Sequence, residues 1–196
     1  MSNKDKINQA FARFDEANGE DPNMDMANGS AVPKELLYSH RMSEWLERIS
    51  PDASIPLRLA ARAQHICRWK SPRSSYPMDR IGYLKWRTEL KKFHAETAGR
   101  ILEEVGFEPE LIERTQTLIR KENLATDPET QVLEDVICLV FLENYFADFS
   151  QAHDPAKVID IVRKTWKKMS NSGHQAALAL NYTPAALELI KEALRA

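Results

Sequence analysis

Apolar positions along this chain recur at spacings of three and four, and the alternating β-branched runs that mark strands are absent. The pattern predicts an all-α fold, a single-domain helical bundle. A first helix is expected from about Asp5 to Asn18, with Ile7, Ala10, Phe11 and Phe14 on one stripe. The polar stretch Gly19 to Pro33 then reads as a loop. A second helix, about Lys34 to Ile49, carries Tyr38, Met42, Trp45, Leu46 and Ile49 on its apolar face and stops at Pro51. A third, about Ile55 to Lys70, has Pro56 in its first turn and an alanine-rich centre that allows close approach by neighbours.

Pro72, Pro77 and Gly82 punctuate the next segment, and a long helix is expected from about Leu84 to Val105 with Gly106 just past its end. A further helix covers about Pro109 to Asn123. Asp127 and Pro128 supply a cap and a first-turn proline for another that continues to about Phe149. Its sequence, VLEDVICLVFLENYF, is apolar nearly all round and marks the centre of the bundle. Helices at about Pro155 to Ser170 and Pro184 to Arg195 complete the chain, which reads as one domain over 1–196.

Composition narrows the classes of function. A formal charge of -2 over 196 residues gives no global basic field, so no DNA partner is expected and any grip on RNA must be local. No apolar run reaches the roughly 18 to 20 residues of a membrane span, and the first residues lack a secretory h-region, so a cytoplasmic location without a membrane partner is expected. Cys67 and Cys138 sit among apolar neighbours at helical spacing, as free thiols do, and no disulfide is expected.

Several residues are candidates for chemistry. Asp135 shares a helical face with Leu139, Leu142 and Phe146, where a carboxylate needs a partner: a neighbouring arginine, or a ligand. His94 lies among Leu90, Thr97, Ala98 and Ile101, and is either a core imidazole donating to a backbone carbonyl or a ligand. His65 has a mixed face, and His40 falls opposite the apolar stripe of its helix. The segment Arg68 to Arg87 holds six basic residues, one acidic residue and four aromatics. Among them Arg68, Trp69, Arg73, Arg80, Trp86 and Arg87 suit a phosphate-bearing or single-stranded RNA ligand, since guanidinium groups clamp phosphate and aromatic rings stack on bases. Asp21, Asn23 and Asp25 resemble the start of a calcium loop, but Met26 and Val32 stand where a glycine and a glutamate are required, so the segment reads as a solvated turn.

Two resemblances follow from these residues. The order of His40, His65 and then HAETAGRILEEVGFEPELIERTQTLIRKENLATDPETQVLEDV resembles the HD-type metal-dependent phosphohydrolases over roughly 34–149, leaving the helices of 155–195 outside the HD-like core. The resemblance implies an HD-domain-like bundle and a divalent transition metal held by His65, His94 and Asp135, with His40 as a fourth ligand and Lys121 on phosphate. Ile66 replaces the aspartate of the His-Asp pair, and Lys121 lies in a segment that often supplies histidine. These departures fit either a reduced metal site or a scaffold that binds a nucleotide, RNA or protein without catalysis.

The strings QHICRW, PRSSYP, GYLKWR, KFHAE, LEDVICLVFLENYF and KTWKKMS resemble an uncharacterised all-helical family over nearly the whole chain. Some of its members are labelled glutamyl-tRNA synthetase-like, and KMSNS at 168–172 is similar to a synthetase loop. The HIGH motif and alternating βα pattern that should accompany it are missing. The function expected is therefore a divergent HD-like phosphohydrolase acting on a nucleotide or small phosphate compound, with a non-catalytic binding module as the alternative.

Overall fold

The computed structural model describes residues 2–195 and is all-α apart from one short hairpin. Helix α1 (Asn3–Gly19) begins before the apolar stripe does, because Ser2 and Asp5 form a reciprocal capping box. The expected loop after it contains β1 (Met24–Ala27) paired antiparallel with β2 (Ser30–Pro33). Asn28 and Gly29 both take positive φ, which the tight Asn-Gly turn requires. Asp21 is buried rather than solvated. One of its oxygens accepts from Asn23 N at 2.9 Å and the other from Glu35 N at 3.0 Å, so it caps α2 (Lys34–Ile49) from outside.

Helix α3 spans Ile55–Ala63 and ends seven residues before the apolar pattern does. Tertiary partners take over there. Cys67 turns left-handed at φ 53, its N–H donates to Asn18 Oδ1 at 3.0 Å, and the Ile66 carbonyl accepts from His94 Nδ1 at 2.8 Å. Single 3-10 turns at Arg68–Lys70 and Arg73–Ser75 lead to α4 (Arg80–Val105), which Asp79 caps four residues earlier than the hydrophobic pattern indicates. Gly106, at φ 85, closes α4 as expected.

Helix α5 (Pro109–Arg120) ends in Lys121 at φ 56, and α6 (Pro128–Asn144) starts from the Asp127 cap. On α6, Leu133, Val136, Leu139 and Val140 are wholly buried, so this helix forms the centre of the core. The expected continuation to Phe149 breaks at Tyr145 and resumes as α7 (Phe146–Ala152). Helices α8 (Pro155–Trp166), α9 (Asn171–Leu178) and α10 (Pro184–Leu194) cover one end. Both cysteines are free and buried. Among the described residues no helix is long and apolar enough to cross a membrane.

Candidate functional site

A cavity of about 1110 Å³ opens between the start of α2, the turn after α3, the first half of α4, the end of α5 and the α6–α7 junction. Its walls mix two chemistries. Tyr38, Trp69, Tyr83, Trp86, Phe141, Tyr145 and Phe149 supply rings, while Lys34, Arg68, Arg73, Arg87, Lys91 and Lys121 supply cations. Glu35 is the one acidic residue in the lining.

These cations differ in what already holds them. Arg73 donates to the carbonyls of Tyr76, Pro77 and Asp79 and so ties its own loop together. The Arg68 guanidinium lies 5.2 Å from the centre of the Trp86 ring and donates to His65 Nε2 at 2.9 Å. Lys121 reaches Glu134 at 2.7 Å, a carboxylate that also lies 3.7 Å from Lys168. Arg87 donates to the Tyr83 hydroxyl at 3.3 Å and has no ion-pair partner among the described residues. Among the described residues, neither Lys34 nor Lys91 has an ion-pair partner.

Arg87 and Lys91 stand one helical turn apart on α4, an arrangement that is unfavourable for like charges. Burial holds the Lys91 ammonium below the usual lysine range, and the positive charges of Lys121 and Arg87 add to that depression. Three cations thus face Glu134 as their shared carboxylate, and that carboxylate is also close to a fourth cation.

A second cluster occupies the floor. Glu35 Oε2 lies 3.4 Å from His65 Nδ1, and the Tyr38 ring stacks on His65 with centroids 4.1 Å apart. Burial pushes the Glu35 carboxyl up to about 7 against the opposing pull of Arg68. His65 is held well below the usual imidazole range by burial and then by Arg68. His94, 5.8 Å from His65 between ring centres, is pushed down to about 3, chiefly by burial. Burial also raises the Tyr38 phenol well above its ordinary value.

The residues expected to share a metal are dispersed. His65 and His94 meet at the floor, with His94 donating to a backbone carbonyl as a core imidazole does. Asp135 lies outside the lining. One of its oxygens accepts from Ser170 N at 2.8 Å and Gln131 Nε2 at 3.1 Å, the other from the Ser170 hydroxyl at 2.5 Å. Its hydrogen-bond partners among the described residues are the Ser170 cap of α9 and Gln131 of its own helix, and no arginine is among them. His40 sits outside the cavity, half-exposed and 3.4 Å from Asp15. The four side chains therefore do not fit a common metal ion, and no three His, Cys, Asp or Glu side chains among the described residues are grouped to hold one.

The basic-aromatic segment divides in the same way. Arg68, Trp69, Arg73, Trp86 and Arg87 line the cavity, whereas Arg80 is exposed beyond it. The KMSNS segment docks onto α6: Lys168 O accepts from Gln131 at 2.8 Å, the Lys168 ammonium faces Glu134, and Ser170 binds Asp135. Those contacts account for its composition. Sequence reasoning missed Glu35, Lys34 and Lys91. Glu35 stands on the apolar stripe three and seven positions before Tyr38 and Met42, the same signal that singled out Asp135.

Residues 8–190 match a family model described as a domain of unknown function, DUF4202. The chain belongs to this family. No curated protein and no solved structure matches it. The match covers every element of the DUF4202 chain that lines the cavity.

Proposed function

We propose that the cavity binds a small phosphorylated compound of the nucleotide class, with the phosphate held by Arg87, Lys91 and Lys34. The observation that carries this reading is the convergence of Arg87, Lys91 and Lys121, with Lys91 half-buried and without an ion-pair partner among the described residues. Packing like charges at a partly dry site costs free energy unless an anion completes it, and a phosphate supplies the missing charge. The ring-lined walls suit a planar group on the same ligand.

Hydrolysis of the bound ester is a second reading, favoured by the Glu35–His65 pair. A carboxyl with a pKa of about 7 is matched to taking a proton from an attacking water near neutral pH. Arg68 neutralises the carboxylate, and the surrounding cations stabilise charge on the phosphate oxygens. The HD-type resemblance over 34–149 points to the same substrate class. Asp135 and His40 take no part in this reading, and it contains no metal-dependent step.

Calorimetric titration with inorganic pyrophosphate and nucleoside phosphates tests the binding. Replacing Arg87 and Lys91 together by glutamine should weaken it by at least about tenfold, equivalent to about 1.4 kcal/mol, while Arg80→Gln leaves it unchanged. Equal affinity in the double variant and the wild type would overturn the reading. Phosphate release, assayed separately, should disappear in Glu35→Gln while binding persists.

A further inference from the structure

The cavity floor carries polar atoms that the folded chain leaves unsatisfied. Tyr38, Gln64 and His94 are each more than nine-tenths buried, and each belongs to the lining. The Tyr38 hydroxyl, Gln64 Oε1 and His94 Nε2 have no hydrogen-bond partner among the described residues, and neither does the Tyr145 hydroxyl beside them. Leaving one buried polar atom unpaired costs roughly 1 to 3 kcal/mol, so several in the lining of one cavity are places where the polar groups of a ligand can serve as partners.

The tautomer of His94 decides what kind of partner that is. The Ile66 carbonyl can only accept, so the proton lies on Nδ1, 2.8 Å from it, and Nε2 presents a lone pair. Burial keeps the imidazole neutral down to about pH 3, so the lone pair persists at any physiological pH. Gln64 Oε1 is a second acceptor, and Glu35 adds carboxyl oxygens to the same lining. Phosphate oxygens are acceptors themselves and find no donor at His94 Nε2 or Gln64 Oε1. The cavity is therefore divided, with cations at Arg87 and Lys91 for an anion and acceptors at His94 and Gln64 for a donor. Rings bound the acceptor end, Tyr38 stacked on His65 and Tyr145 tilted to Tyr38 at 6.4 Å, so the donor best belongs to a flat group.

We propose that His94 Nε2 and Gln64 Oε1 form a specificity subsite that accepts hydrogen bonds from the N–H groups of a nucleobase, while the phosphate stays at Arg87 and Lys91. The inference rests on the phosphate-binding reading above and assigns the ligand its orientation, base inward and phosphate outward. His94 and Gln64 act by selecting the ligand, not by moving its atoms. A sugar phosphate without a base fills only the outer part of this site.

The test is a calorimetric series with inorganic pyrophosphate, ribose phosphate and the common nucleoside monophosphates on the wild type, His94→Phe and Gln64→Leu. At least one monophosphate should bind about tenfold or more tightly than ribose phosphate to the wild type. That gain should vanish in both variants while their pyrophosphate affinity matches the wild type, which also shows that they fold. Nitrogen NMR of the wild type should show the His94 Nε2 resonance moving with the monophosphate but not with pyrophosphate. A gain that persists in both variants, or no gain over ribose phosphate, overturns the subsite and leaves the phosphate site standing. Loss of pyrophosphate binding altogether would sink the underlying reading and the subsite with it.

Discussion

Glu35 and His94 pull the pH dependence of stability in opposite directions. In the folded chain Glu35 keeps its proton up to about pH 7, against about 4.5 for a free glutamate, so unfolding releases a proton between those values and its contribution falls as pH rises. His94 stays neutral down to about pH 3 when folded but protonates from 6.5 when unfolded, so its contribution falls as pH drops. Each pKa unit corresponds to about 1.4 kcal/mol, which makes each effect at most a few kcal/mol. Urea unfolding of Glu35→Gln should therefore show stability rising more steeply with pH between 4.5 and 6.5 than in the wild type. An unchanged slope would mean that Glu35 does not hold its proton. Asp135 makes a different kind of prediction. Asp135→Ala should cost roughly 2 kcal/mol, because Ser170 N loses its acceptor in a buried setting, and it should leave pyrophosphate affinity unaltered. A metal or phosphate role for Asp135 would change that affinity. Periodicity correctly located both Asp135 and His94 on buried faces. It could not say which neighbour each one meets, because that depends on α9 for Asp135 and on the turn after α3 for His94.

At the scale of elements, the site depends on places where the chain leaves its local pattern. The alanine-rich stretch has good propensity to continue past Ala63, yet Asn18 from α1 and His94 from α4 take the Cys67 amide and the Ile66 carbonyl and end it. That early end places Gln64, His65, Arg68 and Trp69 on the cavity wall. Long-range hydrogen bonds of this kind leave no trace in periodicity. The hairpin was missed for another reason: its four-residue strands show exposed and half-exposed positions and no apolar alternation, so Asn28-Gly29 was its only local signal. Helix α9 has no counterpart among the expected elements, since the apolar pattern carries the preceding helix to about Ser170 and starts the next at Pro184. Helix existence was legible elsewhere, and the Asp127, Pro128 and Gly106 boundaries were legible because caps are local chemistry. Gly82 and Gly173 test these junctions. A Cβ on Gly82 would fall on the Pro77 carbonyl, so Gly82→Ala should push the Arg73 loop away from α4. A destabilisation of about 1 to 3 kcal/mol in urea unfolding and a weaker grip on nucleoside phosphates are expected. A Cβ on Gly173 would lie 2.6 Å from Asp135 Oδ1, so Gly173→Ala should destabilise the α9 junction and spare the cavity. Amide exchange localised to the residues around Ser170 would show this, and faster exchange throughout α4 would contradict it.

Across the whole molecule, a net charge of -2 conceals a cavity lined by six cations and one carboxyl. Bulk charge argued against a polyanion partner, and the local concentration of charge became visible only once α2, α4 and α5 were brought together. Three of the four aromatics and three of the six basic residues of the Arg68–Arg87 segment line the cavity, but Arg73 is occupied by its own loop, and Lys34 and Lys91, which have no ion-pair partner among the described residues, lie outside that segment. Like charges gathered around a single shared carboxylate should make the unliganded protein more stable as salt rises, whereas anion binding should weaken with salt. The most direct measurement is calorimetric titration of inorganic pyrophosphate at low and moderate ionic strength into the wild type and Lys91→Gln. Binding at low salt that weakens as salt rises and falls by about tenfold in Lys91→Gln is predicted, since no ion pair among the described residues holds the Lys91 ammonium. No binding to the wild type at low salt, or the same affinity without the Lys91 charge, would contradict the assignment of this cavity to a phosphorylated ligand.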